Sequence, residues 1–354
     1  MAKLFDKKRV LVTGGTGSLG KVLTKRLLSG KDGVPESVVV FSRDEAKQHF
    51  MRLEYMKMGK ATDEVIYRNF EERLRFRIGD VRDFHSVAAA VRDVDIVFNA
   101  AALKQVPTCE YFPFEAVRTN IGGPQNIIRA ITEQGLDVET VVGVSTDKAC
   151  KPVNVMGMTK AIQERVFIKA NLDTPRTRFI CVRYGNVLAS RGSVIPLFHE
   201  QIRGGGPVTI TTADMTRFLL SLDRAVDTIF AAVKGAGRGE TYIPRVPSAR
   251  VVDVADALIG SRKVKKVITG IRPGEKVHEI LVSEEEGHRT VARGDHYVIR
   301  PILPEIAKGG KGKTLDREYS SADDLMSRKD IERLLRENRL MVGDRLVEDG
   351  ELLG

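Results

Sequence analysis

Ser145, Thr146, Asp147 and Lys148 follow one another at the end of an apolar run, and Lys160 lies a short distance beyond them. A carboxyl group and an amine side by side can present an acid and a base to one substrate, and a neighbouring hydroxyl can relay a proton. Adjacent opposite charges are commonly no more than an exposed ion pair. Placement just past the carboxyl end of a strand, ahead of a helix carrying a second lysine, favours a site. The full stretch, "STDKACKPVNVMGMTK", puts Met156 four residues before Lys160 and so on the same helical face. A thioether exchanges no proton, and in a core Met fills gaps. Either residues 145–160 form an inactive site, or the proton work has passed to Thr146, Asp147 and Lys148.

These residues need a scaffold that gathers strand ends. "RVLVTGGTGSLGKVLTKRLLSG" is an apolar strand, a glycine turn and an amphipathic helix. "SVVVFSRDE", "LRFRIGDVRD", "VDIVFNAAA", "VETVVGVSTDKA" and "TRFICVRYGNV" continue as short strands, with helical patterns such as "GGPQNIIRAITEQG" and "MTKAIQERVFIKANL" between them. Alternation of this kind predicts an α/β fold, a doubly wound parallel sheet of the Rossmann type with binding residues past the strand ends. Gly14, Gly17 and Gly20 form G-x-x-G-x-x-G between strand and helix, where backbone amides meet a pyrophosphate. Thr16, Ser18 and Leu19 complete that turn. The second strand ends in Phe41, Ser42 and Arg43, a hydroxyl and a cation where an NAD site usually carries an acid, so the expected cofactor is NADP. The alternative is that Asp44 takes the ribose and Arg43 faces solvent. Asp80, with Val81, is expected at the adenine edge, and Ala100 and Ala101 are small enough to let the cofactor lie close.

The rest of the chain bounds the remaining choices. With 42% hydrophobic and 29% charged residues and no membrane-length apolar run, the expectation is a cytoplasmic enzyme without membrane contact. The start runs almost directly into a strand, so no signal peptide is expected. Three cysteines without metal-type spacing read as reduced thiols, and no metal is expected. The net charge of +10 is scattered among acids rather than gathered with aromatics, so a small anionic ligand explains the arginines as well as nucleic acid does; no nucleic-acid partner is expected. The domain reading assigns residues 1–190 to the nucleotide-binding unit, with a segment near 218–255 returning to it. Residues 191–320 form mainly a substrate lobe, and 321–354 a tail in which "SRKDIERLLRENRL" is a helix with a serine cap. The charged stretch around 57–75 reads as an exposed helical excursion.

"TGGTGSLG", "FSRDE", "GDVRD", "AAALKQVPTCEYFP", "STDKACKPVNVMGMTK", "RYGNVLASRGSVIP", "MTRF" and "GIRPGEKVHE" occur in this order between about residues 8 and 320. Together they resemble the extended short-chain dehydrogenase family, and within it the UDP-N-acetylglucosamine 4,6-dehydratases of surface-polysaccharide pathways. "ALKQVP" and "STDKA" carry the narrower resemblance. In the parent family Ser, Tyr and Lys share the work at this segment; some dehydratase branches have Met at position 156. The resemblance implies oxidation at C4, loss of the C5 proton and C6 hydroxyl as water, and hydride return to C6. It implies Asp147 as the acid, in a setting that keeps its proton, and Lys148 as the base, whose pKa would have to fall. It leaves Thr146, with Ser145 nearby, as a candidate relay for the C4 hydroxyl proton, and implies that Lys160 holds the nicotinamide ribose. It further implies that Lys104 and Asn186 meet the sugar or a phosphate, and that Arg217, Arg272 and Glu275 clamp the nucleotide. Self-association as a dimer or hexamer is expected. A 4-epimerase on the same scaffold and a cofactor-binding sensor without turnover are the alternatives.

Overall fold

The computed structural model describes residues 3–58, 72–188, 193–307 and 312–344, together with two short strands at 347–348 and 351–352. Most of the 57–75 stretch therefore lies outside the described residues. Six parallel strands form the centre: β1 (Arg9–Thr13), β2 (Ser37–Ser42), β3 (Leu74–Ile78), β4 (Ile96–Asn99), β5 (Thr140–Thr146) and β6 (Arg178–Tyr184). β1, β4 and β5 are buried on both faces, which is why they are continuous apolar runs rather than alternating ones.

The sheet order is β3-β2-β1-β4-β5-β6, followed by Thr241–Pro244 in parallel and then His296–Ile299 and Thr290–Arg293 antiparallel. The order reverses beside β1, which pairs with both β2 and β4, and a crevice opens where it does so. The chain thus rejoins this sheet at 241–244, inside the expected returning segment, and again at 290–299, beyond it. The second return is a hairpin turning at Gly294, which has a positive φ of 58°. Its Gly-Asp turn between two apolar runs is a signal present in the sequence.

Two apolar cores flank the sheet, one including Val12, Phe98 and Ile229, the other Leu11, Val141 and Phe179. A third lies in the lobe, beneath the helices Val194–Arg203, Val251–Ile259 and Arg328–Glu337. The last of these is the tail helix. Ser327 caps it, accepting from the Asp330 amide, and Ile331 and Leu335 bury it against the lobe. Tyr319–Ser320 pairs antiparallel with Ile280–Val282 at the end of the lobe, immediately ahead of the tail. Among the described residues no helix is long and apolar enough to cross a membrane.

A buried ion cluster joins three parts of this architecture. Arg183, on β6, donates to Glu164 of the helix Val155–Asp173 (2.6 and 3.0 Å), to Glu286 of the helix Glu284–Gly287 (2.7 and 2.9 Å), and to the Leu281 carbonyl (2.8 Å). Glu164 also accepts from Ser145 Oγ at 2.5 Å.

Candidate active site

The glycine turn shapes the first half of the site. Gly14 has a φ of 66°, and a Cβ there would stand 2.8 Å from the Ala101 backbone, so only glycine lets the turn approach β4. Beyond it the helix Ser18–Leu28 starts at Gly17, with its first amides unpaired by helix geometry. The crevice here is a cavity of about 620 Å³. Its walls include Gly14, Thr16, Gly17, Ser18 and Leu19, then Ser42 and Arg43 from the end of β2, and Val81, Ala100 and Ala101. A strand-end glycine cradle facing a helix N-terminus fits the pyrophosphate of a dinucleotide.

Two of the expected cofactor contacts are otherwise engaged. The Ser42 hydroxyl accepts from Gln48 Nε2 at 3.0 Å. Asp80 is absent from the cavity wall; Arg82 binds its carboxylate through two nitrogens at 2.9 and 2.6 Å. Arg43 stands at the lip, half exposed, 3.8 Å from Asp80. Asp44 is spent on the following helix, where it accepts from the Lys47 amide at 3.0 Å and pairs with the Lys47 ammonium at 3.3 Å.

The second half is a cavity of about 530 Å³ that shares Ser18, Leu19, Ala100, Ala102 and Lys104 with the first. Thr146, Asp147 and Lys148 enter it from the end of β5, Lys160 and Met156 from the helix Val155–Asp173. Gly157 lets these elements touch: a Cβ there would overlap the Lys148 carbonyl oxygen. Asn154 caps the helix through the Gly157 amide (2.8 Å) and donates to the Gly274 carbonyl (2.8 Å), tying the 272–275 loop to the same corner.

Asp147 is fully buried. Its Oδ1 accepts from Thr146 Oγ1 at 2.8 Å and from Lys148 Nζ at 3.1 Å, while Oδ2 is buried with no protein partner. Lys148 Nζ also stands 3.4 Å from Glu279 Oε1, and Glu279 Oε2 is likewise buried and unpartnered. The amine is therefore held between two buried carboxyl groups. This corrects the expectation for Lys148. Burial pushes its pKa down, but Asp147 and Glu279 outweigh that push, and it is raised above the ordinary lysine value. Ser145 is turned away to Glu164, which leaves Thr146 as the hydroxyl beside Asp147.

Lys160 behaves differently. It is buried, donates to Gln163 Oε1 at 2.7 Å, and its pKa is lowered to about 8 by desolvation. Gln163 in turn donates to the Val144 carbonyl at 3.1 Å, fixing Lys160 to β5. Met156 both fills space and faces the cavity, packing with Cys109 and Ala116. Asn120 sits in a π-helical turn, Arg118–Gly122, and grips the lysine loop by accepting from the Leu103 amide (2.8 Å) and donating to its carbonyl (2.9 Å). Such turns often mark functional positions. Glu110 accepts from the Val155 amide at 2.7 Å and so braces the start of the Met156 helix.

The remaining predicted residues converge on the second cavity. Lys104, Asn186, Arg217, Arg272 and Glu275 all line it. Asn186 Oδ1 is buried without a protein partner. Arg217 donates to the Thr216 and Val277 carbonyls at 2.7 and 3.1 Å, and Glu275 accepts from Thr211 at 3.5 Å. Glu279 and Tyr184, whose Cα pairs with that of Thr146 across β5 and β6, line the cavity as well and were not singled out from the sequence. The shared cavity holds a nucleotide-sized surface on one side and an acid–base cluster on the other.

Residues 10–301 match the family model described as polysaccharide biosynthesis protein. The chain is 40% identical over 333 residues to a UDP-N-acetylglucosamine 4,6-dehydratase (inverting) of Campylobacter jejuni, covering 91% of this chain and 94% of that protein. It is 43% identical over 303 residues to a UDP-glucose 4-epimerase of Rickettsia bellii, covering 84% of each. Among solved structures, Pen from Bacillus thuringiensis superposes with a TM-score of 0.82 at 35% identity, over 95% of this chain and 99% of that one.

Proposed function

This chain belongs to the polysaccharide biosynthesis protein family, and we propose that it is a sugar-nucleotide 4,6-dehydratase acting on UDP-N-acetylglucosamine with NADP. The observation that carries the reading is the buried Asp147–Lys148 pair at the end of β5, in a cavity joined to the dinucleotide crevice. When bound, the dinucleotide supplies a nicotinamide that accepts hydride from C4 of the sugar and returns it to C6. The glycine turn holds its pyrophosphate, and Lys160, fixed by Gln163, holds the nicotinamide ribose. Lys104, Arg217 and Arg272 meet the sugar nucleotide's diphosphate, and Glu275 its ribose. The Thr146 hydroxyl takes the C4 hydroxyl proton and relays it toward Asp147. Lys148 removes the C5 proton, made acidic by the ketone at C4, and Asp147 protonates the departing C6 oxygen.

NADP is favoured over NAD by the groups at the end of β2. Arg43, Asp44 and Lys47 all line the lip, and of these the Asp44 carboxylate is engaged with the helix it caps. Arg43→Ala is expected to weaken NADP binding about tenfold and leave NAD binding within about twofold, as removal of one charge-assisted contact to a 2′-phosphate predicts. Calorimetric titration with both dinucleotides measures the ratio; equal loss for both removes the preference. Self-association is supported by the exposed Tyr111, Phe112 and Phe114 beside the helix that exposes Met158 and Ile162.

The test is proton NMR of the protein with UDP-N-acetylglucosamine and NADP in deuterated water. A new C6 methyl signal with deuterium at C5 is expected, and the couplings report the C5 configuration. The epimerase-named relatives motivate a second reading, 4-epimerisation, in which the C4 epimer is the product and C6 keeps its hydroxyl.

A further inference from the structure

We propose that Glu279 is the positioning partner of Lys148, taking up the proton that Lys148 must shed before it can act as a base, and so leaving Asp147 able to remain the acid. This rests on the dehydratase reading. The groups facing the Lys148 ammonium are Asp147 at 3.1 Å, Glu279 at 3.4 Å, and the cations Arg217 and Lys276. If Asp147 were the sole counter-charge, the base of the reaction would hold its own acid ionised. Glu279 resolves that conflict by balancing the ammonium from the other side. Its second oxygen is buried without a partner, and so is that of Asp147, so each carboxyl has an oxygen with no existing hydrogen bond to displace.

The position is built. The Glu279 amide donates to Ser321 Oγ at 2.9 Å, the Ser321 amide donates to the Glu279 carbonyl at 2.8 Å, and Ser321 Oγ lies 2.6 Å from Thr216 Oγ1. The backbone is fixed from both sides, while the carboxyl is left to Lys148 and to Arg217 at 3.9 Å.

The steps balance. Lys148 passes a proton to Glu279 as the sugar excludes water, because a neutral pair is favoured over an ion pair in a dry site. The free amine takes the C5 proton. The electrons of that C–H bond form the C5–C6 double bond as the C6–O bond breaks. Asp147 gives its proton to the departing oxygen, which leaves as water. Asp147, which had received the C4 hydroxyl proton through Thr146, is then ionised as at the start, and when C6 takes its hydride Lys148 gives a proton back to C5 and recovers one from Glu279.

The test compares the wild-type chain, Glu279→Gln and Glu279→Asp by two readouts. The first is the pH dependence of Lys148 acetylation by acetic anhydride, followed by mass spectrometry. Loss of the carboxylate in Glu279→Gln is expected to lower the Lys148 midpoint by about one pH unit or more. The second is turnover. In Glu279→Gln, kcat is expected to fall about a hundredfold with KM within about threefold, and Glu279→Asp to recover about tenfold of the loss. An unmoved midpoint, or a kcat within about threefold of wild type, overturns the proposal. Should Glu279→Gln fail to fold, Glu279→Asp carries the test, with smaller shifts of the same sign expected and an unchanged midpoint overturning it. A wild-type protein that releases no 6-deoxy product overturns the dehydratase reading instead, and the labelling midpoint still decides whether Glu279 governs Lys148.

Discussion

Lys148→Met is expected to lower the rate of water loss from UDP-N-acetylglucosamine by about a thousandfold, the middle of the range for a positioned general base. The methionine keeps most of the side-chain volume and removes the amine, so the cavity wall at the end of β5 is preserved. Deuterium entry at C5 is the more pointed measurement, because it follows proton removal directly and does not wait for product release. In the variant it should fall in parallel with methyl formation. A variant that still exchanges C5 at a rate within about tenfold of wild type would assign the base elsewhere. Lys160, whose amine is pushed down to about 8, and Tyr184 are the other titratable groups in that wall to test first.

Arg183→Met is expected to be the most destabilising single change away from the reacting groups. It leaves Glu164 buried without its cation and Glu286 with only Arg289 at 3.5 Å, at a cost of about 3–5 kcal/mol. For a chain of this size that corresponds to a fall in Tm of about 4–7 °C, measurable by calorimetry. Arg183→Lys keeps the charge but not the planar fork that meets both carboxylates, so an intermediate loss is expected. The same cluster predicts an acid limb. Burial pushes the Glu286 carboxyl up, but the Arg183 charge and hydrogen bonds outweigh it and bring it to about 2, below the ordinary 4.5. A depressed carboxyl stabilises the fold above its unfolded value. That contribution is lost as pH falls from about 4.5 toward 2. In Arg183→Met that contribution is already absent, so stability should fall less steeply between pH 4.5 and about 2 than in the wild-type chain; an unchanged slope would show that other carboxylates govern acid unfolding.

What the sequence made legible was local. β1, the glycine turn and its helix announce themselves because strand period, turn and helix period lie side by side, and β5 ends in a run whose chemistry is adjacent in the chain. The protonation preference of Lys148 was not legible, because it depends on Glu279, which arrives from a distant segment in a motif that otherwise reads as a nucleotide clamp. Likewise nothing local tells that Gln48 takes the Ser42 hydroxyl, or that Arg82 takes the Asp80 carboxylate. Some missed residues did leave signals. Gln163 stands three positions after Lys160 on one helical face, and "NIGGP" interrupts a helical pattern at the π turn that carries Asn120. The hairpin at 290–299 was marked by its Gly-Asp turn.

The grip of Ser321 on Glu279 bears on the order in which the protein acquires its powers during synthesis. Chains fold as they emerge, N-terminal units first. The glycine turn and β1 through β6 are all made before residue 190, so a nascent chain holding them can shape the dinucleotide crevice early. The strand that pins Glu279 comes only at Tyr319–Ser320 and the serine after it. A ribosome-bound chain stalled short of that point would shape the dinucleotide crevice with the proton relay unfinished, its Lys148 lacking the pinned carboxylate beside it.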